Sequence, residues 1–186
     1  MLRLAVFLCV LLAVLAPPLY AQDAPYCQLS TSNAPRDAPK FTDYPVSVWH
    51  GKPVAVRSRT SVSRMYRTVM REAQKEGPDF AGHYKIAIWG CGAPCTDWAV
   101  IDAKTGYITD YKAYRDVSHM YVEDEPLDYR PDSRLLIIKG APHENEARDG
   151  LTYLLWTGKG FRQLAFYAKR EYCLPFTDMT SLGQPR

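Results

Sequence analysis

Cys91 and Cys95 are the residues of this sequence with the clearest chemical potential. As free thiolates they could bind a soft metal such as Cu(I) or Zn(II), with His83 as a third ligand. As a dithiol pair they could exchange with other disulfides, although that chemistry generally uses C-x-x-C at a helix N-terminus, where the thiol pKa is lowered. Oxidised, they close a small loop and take no part in chemistry. We expect the oxidised pair, and with it no metal and no cofactor.

His83 lies too far along the chain to pair directly with Cys91 if one straight strand joins them. Eight residues at about 3.3 Å each span roughly 26 Å. A metal or nucleophilic site that includes His83 therefore requires the chain to fold back. A structural histidine is the simpler expectation.

Residues 1–21 have the features of a cleavable signal peptide. Arg3 supplies a positive charge, residues 4–15 form an apolar run, and Ala21 offers a small residue for cleavage. The run is shorter than the roughly 20 apolar residues that a transmembrane helix needs, although a retained anchor is an alternative. We therefore predict a periplasmic or secreted protein with no stable membrane insertion after cleavage.

The cysteine count suits an oxidising compartment. Of the 5 cysteines, cleavage would remove Cys9 and leave an even number, which is typical of a disulfide framework. Several pairings are open, and we prefer Cys27–Cys173 together with Cys91–Cys95. The first would tie both ends of the mature chain together and, in the chain-entropy model, contribute about 5 kcal/mol.

Charge and motif content exclude several classes of function. The formal net charge is +3, which is too small to favour nucleic acid as the main partner. The sequence contains no G-x-S-x-G, no H-E-x-x-H and no phosphate-binding loop. We therefore name no catalytic residue, and the sequence leans away from an enzyme.

One amphipathic helix is clear from apolar residues that recur at intervals of three and four. These residues are Val62, Met65, Tyr66, Val69, Met70 and Ala73. Ser58, Thr60 or Ser61 would cap the helix, and Gly77-Pro78 would end it. The opposite face is basic and carries Arg64, Arg67, Arg71 and Lys75. That face is either solvated or a docking stripe for an acidic partner.

Alternating apolar residues predict a mostly antiparallel sheet, because the connections are too short for parallel crossovers. Strands are expected at 46–49, 54–57, 84–89, 98–101, 107–114, 134–139, 151–157 and 161–168. The predicted fold class is α+β, with one curled sheet of about seven or eight strands and one helix. A small propeller-like all-β fold is the alternative. Residues 22–45 are expected to be an extended, proline-rich arm before a single domain at 46–186.

Two motifs carry a resemblance to a known family. The first is Gly77-Pro78-Asp79-Phe80-Ala81-Gly82-His83-Tyr84, and the second runs from Trp89 through Cys91 to Cys95. Together they resemble an uncharacterised family of small secreted proteins of Gram-negative bacteria with G-x-N-F-A-G-H-Y and W-G-C-G-x-x-C segments. Here Asp79 replaces the expected Asn. The resemblance implies secretion and kinship of fold, and it transfers no activity.

The predicted function is that of a non-catalytic binding protein, inhibitor-like or immunity-like, acting on another envelope or secreted protein. Aromatic residues on a rigid frame are effective binding anchors, and the candidates are His83, Tyr84, Trp89 and Trp98. The polar loops at 115–133 and 141–150 offer further surface. The alternative is a periplasmic metal-binding or thiol-redox protein that uses Cys91 and Cys95. A purely structural envelope component is a third hypothesis.

Overall fold

Two antiparallel sheets dominate the part of the chain that the structure describes. The computed structural model describes residues 28–109, 112–120, 122 and 124–172. The predicted antiparallel, mostly β character is confirmed, whereas the prediction of one sheet is wrong, since two four-stranded sheets are present. The predicted signal peptide and the predicted Cys27–Cys173 bond lie outside the described residues. No helix in the described segments has the length and apolar character needed to cross a bilayer.

The first sheet is built around its second strand. It contains β1 (Tyr84–Gly92), β2 (Cys95–Asp102), β3 (Ile108–Thr109) and β4 (Val117–Ser118). Strand β2 pairs with β1 along its whole length, from Tyr84 opposite Asp102 to Gly92 opposite Cys95. Its other edge pairs with β3 near its end and with β4 at its start, where Cys95 lies opposite Ser118.

The second sheet is a simple meander. Its strands follow in chain order as β5 (Leu127–Tyr129), β6 (Leu135–Gly140), β7 (Gly150–Trp156) and β8 (Phe161–Ala168). A mutual pair of backbone hydrogen bonds between Ser118 and Ala141 joins the two sheets at one end. The described residues thus form two sheets, fewer than the four blades of the smallest propeller.

The main core lies between the two sheets and is built from alternate residues of their central strands. Its members include Ile86, Trp98, Val100, Leu136, Ile138, Leu154 and Trp156. The intervening residues of the same strands point outward and are also apolar, so each sheet needs a second cover.

Two different segments cover the outer faces. Met70 of the helical segment packs on Ala87, Trp89, Ala99 and Ile101 of the first sheet. Leu29 and Ala38 of the N-terminal segment pack on Leu135, Ile137, Leu151 and Tyr153 of the second sheet. The resulting order of layers is helix, first sheet, second sheet and N-terminal segment.

The predicted helix is present in two parts that meet at Tyr66. Helix α1 is Ser61–Met65 and α2 is Arg67–Lys75. Thr60 caps α1, because its hydroxyl accepts from the Ser63 amide at 3.0 Å. The predicted apolar face is buried or partly buried apart from Met65, which is 74% exposed. A short helix α3, Lys169–Tyr172, follows β8.

Several predicted strands are absent or shorter than expected. Residues 46–49 and 54–57 form no strand. Instead they hydrogen-bond singly to loops, for example through the Trp49 amide to the Gly82 carbonyl at 3.0 Å. Among the described residues of the run at 107–114, the only strand is β3. Short 3₁₀ turns occupy Thr31–Asn33, Phe41–Asp43, Lys112–Tyr114, Pro142–Glu144 and Glu146–Arg148.

The segment between α2 and β1 fixes the helix to both sheets. Gly77 ends the helix with a φ of 87°, as its sequence position predicts. Gly82, with a φ of 85°, donates its amide to the Pro131 carbonyl at 2.7 Å in the loop before β6. A Cβ at Gly82 would lie 2.8 Å from the Ser47 carbonyl oxygen, so this first motif has a structural role.

Asp79 and Lys85 form a polar cluster beneath this segment. The Lys85 ammonium, on a side chain 8% exposed, lies 2.8 Å from Asp79 and 2.7 Å from Glu76. Burial works against the charged form of Lys85, but its hydrogen bonds to the two carboxylates outweigh that effect and raise its pKa. Burial and the Asp79 charge raise the pKa of Tyr129, whose hydroxyl donates to Asp79 at 3.4 Å. Asp79 is therefore the anchor that keeps a buried cation satisfied.

Gly82→Ala is expected to lower the free energy of unfolding by about 2 to 4 kcal/mol, because it adds both backbone strain and a steric clash. Gly77→Ala is the matched control, since Gly77 has a similar φ of +87° and a Cβ placed there would meet no atom within 4 Å. Strain alone should cost it about 1 to 2 kcal/mol. Urea titration of both variants measures their free energies of unfolding. Equal losses of stability in the two variants would contradict a close contact between residue 82 and Ser47.

Asp79→Ala is expected to destabilise the fold by about 2 to 3 kcal/mol, because it removes a charged partner of Lys85. This loss of stability is smaller than the loss expected for a fully buried ion pair, since the Asp79 side chain is 31% exposed. Asp79→Asn keeps an acceptor for the Ile86 amide, now bound at 3.0 Å, and should lose about half as much.

The effect of Asp79→Ala should be independent of pH near neutrality. A folded-state pKa above the ordinary 10.5 of Lys85 means that its contribution to stability is complete below pH 10.5. That contribution is lost as the pH rises through the folded value. The stability gap between wild type and variant should therefore narrow at strongly alkaline pH, where only the lost acceptor for the Ile86 amide still separates them; a gap that closes between pH 6 and 8 would contradict the assignment.

Candidate functional site

Positive charge is concentrated in one stretch of the chain. Residues 51–75 contain 7 lysines and arginines against one acidic residue, Glu72, whereas the whole chain has a net charge of only +3. The remainder of the chain is accordingly net negative. The cations are Lys52, Arg57, Arg59, Arg64, Arg67, Arg71 and Lys75, and we call the surface that they form the basic face.

The helices present four of these cations to solvent. Arg64, Arg67, Arg71 and Lys75 are exposed, opposite the side of the helix where Met70 packs on the first sheet. Among the described residues, Lys75 alone of the basic face has a carboxylate partner, Glu72 at 2.7 Å. The basic face is therefore largely unneutralised within the described structure.

An exposed tyrosine adds an aromatic surface beside the helices. The guanidinium carbons of Arg57 and Arg59 each lie 5.1 Å from the centre of the Tyr107 ring, and Tyr107 is 44% exposed. Both arginines thus rest on an aromatic ring, a contact that favours a defined orientation of each guanidinium.

A groove of about 550 Å³ lies between residues 52–56 and helix α2. Lys52, Arg71 and Lys75 supply positive charge to its lining, and Val54 and Val56 supply apolar surface. Buried Gln74 donates through Nε2 to the Val54 carbonyl at 2.9 Å and so ties the extended segment to the helix. The groove is thus a concave part of the basic face with a fixed wall.

A second group of reactive side chains lies at the turn between β1 and β2. Cys91 and Cys95 are joined as a disulfide with their Cα atoms 5.1 Å apart, which confirms the predicted pairing. Cys91 is exposed and Cys95 is buried. A carboxylate oxygen of Asp116 lies within 4.8 Å of both sulfurs.

Backbone pairing determines the position of Asp116. It immediately precedes β4, whose Ser118 lies opposite Cys95, and it has a left-handed φ of 50°. Its carbonyl accepts from the Glu144 amide at 3.2 Å, and its Oδ2 lies 3.8 Å from Nδ1 of His143. The Asp116 backbone is thus fixed by β4 on one side and by the loop after β6 on the other.

The neighbours of Asp116 are engaged elsewhere. Arg115 binds the buried carboxylate of Asp97 through two nitrogens, at 2.9 and 2.6 Å. His119 Nε2 lies 3.0 Å from the Thr96 hydroxyl. Among the described residues, Asp116 is thus the carboxylate placed beside the two cysteines, with His143 next to it.

His83 lies at the opposite end of β1 from the disulfide, so the structure does not assemble Cys91, Cys95 and His83. Its Nε2 is 3.7 Å from Asp102 Oδ1, and its ring lies 4.2 Å from that of Tyr84. Burial and then Lys104 lower the pKa of His83, while Asp102 opposes them. In place of His83, the third group near the cysteines is Asp116.

The aromatic residues proposed as binding anchors are largely inside the protein. Trp89 is 8% and Trp98 is 1% exposed, and the Trp98 indole donates to the Tyr114 carbonyl at 2.9 Å. Tyr84 is half-buried against Trp156. The two tryptophans belong to the core, and this corrects their proposed role as surface anchors.

Two features of the site were missed from the sequence. The charge imbalance of residues 51–75 was available by counting, but it extends beyond the helical stripe into a segment that was expected to be strand. The proximity of Asp116 to the disulfide had no sequence signal, because it depends on the pairing of β2 with β4.

Comparisons of this chain with protein-family models, with curated proteins and with solved structures found no match. The described structure thus offers two candidate sites, the basic face with its groove and the disulfide region.

Proposed function

We propose that this chain is an exported, non-catalytic binding protein whose basic face binds an acidic segment of another envelope or secreted protein. It would act as an inhibitor or immunity factor does, by occupying a site on its partner. The observation that carries this proposal is that, among the described residues, only Lys75 of the seven cations of the basic face has a carboxylate partner. Such a surface is complementary to a negatively charged one.

The composition of the basic face favours a protein partner. Five of its seven cations are arginines, whose planar guanidinium binds carboxylates through two parallel hydrogen bonds. Arginine and tyrosine are also enriched in protein interfaces and among the residues that dominate their binding energy. Arg57 and Arg59 on Tyr107 combine both features at one point.

The shape of the face supports a segment as the ligand. A groove of about 550 Å³ can accept side chains of an extended or helical peptide, whereas a flat anionic surface would leave it empty. Its apolar lining, including half-exposed Val54 at 40%, would contact the aliphatic part of such a segment. Lys52, Arg71 and Lys75 would contact its carboxylates.

The frame beneath the face is rigid enough to bind without rearrangement. Met70 of helix α2 is fully buried against the first sheet. Gln74 ties residues 52–56 to the same helix, and Thr60 caps the start of helix α1. Side chains on such a frame lose little freedom on binding apart from their own rotamers.

The triple variant Arg64→Gln/Arg67→Gln/Arg71→Gln is expected to weaken binding of a fluorescent glutamate-rich decapeptide about tenfold to a hundredfold. Each exposed ion pair is worth about 0.5 to 1 kcal/mol, and three are lost. Fluorescence anisotropy at low and at physiological salt measures the change. Wild-type affinity should fall as salt is added, and the triple variant should be much less sensitive to salt.

The matched control is Arg134→Gln/Lys159→Gln/Arg162→Gln, which removes the same charge from exposed residues on or beside the second sheet. It should change the dissociation constant less than twofold, and both variants should unfold at the wild-type temperature. Equal weakening in the two variants would contradict a specific face. Binding to vesicles of anionic lipid but not to the peptide would also overturn the proposal.

A further inference from the structure

The Cys91–Cys95 disulfide is asymmetric in its access to solvent. Cys91 is exposed, whereas Cys95 is 6% exposed. An incoming thiolate therefore has readier access to Cys91 than to Cys95. Thiol–disulfide exchange depends on which sulfur is attacked and on access to it, so this difference selects one direction of attack.

A carboxylate accompanies both sulfurs. Asp116 has an oxygen within 4.8 Å of each Sγ, a separation that one water molecule can bridge. Through such a water the carboxylate can pass a proton to or from a cysteine thiol once the disulfide is opened.

Asp116 is also held in an uncommon backbone conformation. Its φ is 50°, and His143 and Glu144, which contact it, have φ values of 58° and 52°. The Glu144 amide donates to the Asp116 carbonyl and the His143 amide donates to the carbonyl of the adjacent Arg115, so three non-glycine residues in the left-handed region lie close together. Strain of this kind is concentrated at sites where a side chain must be held in a set position.

We propose that the Cys91–Cys95 pair is an exchangeable disulfide, attacked at Cys91 by a thiol of another exported protein, with Asp116 relaying protons to and from the cysteines. This site is separate from the basic face, and the two proposals stand or fall independently. The two sulfurs are bonded to each other in the structure, so in this state neither is a thiolate ligand for a metal.

A partner thiolate attacks Cys91 Sγ, the bond between Cys91 and Cys95 breaks, and its electron pair remains on Cys95 Sγ, which takes up a proton. A second partner thiolate then attacks the partner's own sulfur in the mixed disulfide and releases Cys91 as a thiolate, which also takes up a proton. The partner dithiol loses two electrons and two protons and becomes a disulfide, and the Cys91–Cys95 pair gains them.

The first experiment equilibrates the folded exported chain in glutathione buffers of graded potential, with alkylation of each cysteine followed by peptide mass spectrometry. We expect Cys91 and Cys95 to become reduced within the range of these buffers, while circular dichroism shows that the fold is retained. A bond that is reduced only when the protein unfolds would be a purely structural disulfide and would overturn the proposal.

The second experiment measures the pH dependence of Cys91 alkylation in reduced wild type and in Asp116→Asn. Asparagine tolerates a left-handed φ, so the backbone should be preserved. Loss of the neighbouring negative charge should increase the thiolate fraction near pH 7 by about tenfold. A more acidic thiol is a weaker nucleophile, so the alkylation rate should rise only about threefold.

Several charged groups near Asp116 must be accounted for in that profile. His143 faces it at 3.8 Å, Arg115 is bound to Asp97, His119 lies against Thr96, and Glu144 is hydrogen-bonded to the Asp116 backbone. A His143→Gln variant separates the histidine contribution. Adding Asp116→Asn to that variant should still change the alkylation rate above pH 7.5.

Asp132→Asn is the matched control, because Asp132 is an exposed aspartate in the loop that meets Gly82, at the far end of β1 from Cys91. It should leave the Cys91 profile unchanged. An Asp116→Asn profile that coincides with both wild type and this control would overturn the role of Asp116, whatever the outcome of the glutathione titration.

Discussion

Strand β2 is buried on both of its faces, and much of the architecture follows from that constraint. Trp98 and Val100 point into the core between the sheets, while Ala99 and Ile101 point toward the helix. A strand of this kind must be covered twice, because exposure of either row would leave apolar surface in water. The second sheet covers one side and the helical segment covers the other.

The positions of both candidate sites follow from this arrangement. The helix packs its apolar face on Ala99 and Ile101 and therefore turns its arginines outward. The start of β2 places Cys95 inside the protein, while the turn that leads to it leaves Cys91 outside. Asp116 reaches the sulfurs because β4 pairs with that same end of β2. Packing thus sets the position of groups that have no part in packing themselves.

Local patterns predicted the elements that are long and regular, and tertiary pairing decided the rest. The run at 161–168 coincides with β8, and the helix was found from its period of 3.6 residues. Strands β4 and β5 have two and three residues, too few to show alternation. One curled sheet and two stacked sheets also produce the same alternation, so the number of sheets was beyond the reach of the pattern.

The candidate sites divide in the same way. The basic stripe of the helix and the Cys91–Cys95 bond could be predicted, since each depends on residues close in sequence. The groove needs Gln74 to reach Val54 across 20 positions, and Asp116 is brought to the cysteines by strand register. The burial of Trp89 and Trp98 was not predicted, because alternation alone does not distinguish a strand with one solvent-exposed face from a strand that is buried on both faces.

The uneven distribution of charge has a consequence before any contact is made. Residues 51–75 carry seven cations and one carboxylate, whereas the remaining residues are net negative, so the molecule has a permanent electric dipole. In the field of an acidic neighbour this dipole experiences a torque, which turns the basic face toward the neighbour during approach. The effect extends over about one Debye length, roughly 8 Å at physiological ionic strength. The molecule would then be oriented before its basic face contacts the partner. Added salt would lower the association rate constant more than it raises the dissociation rate constant.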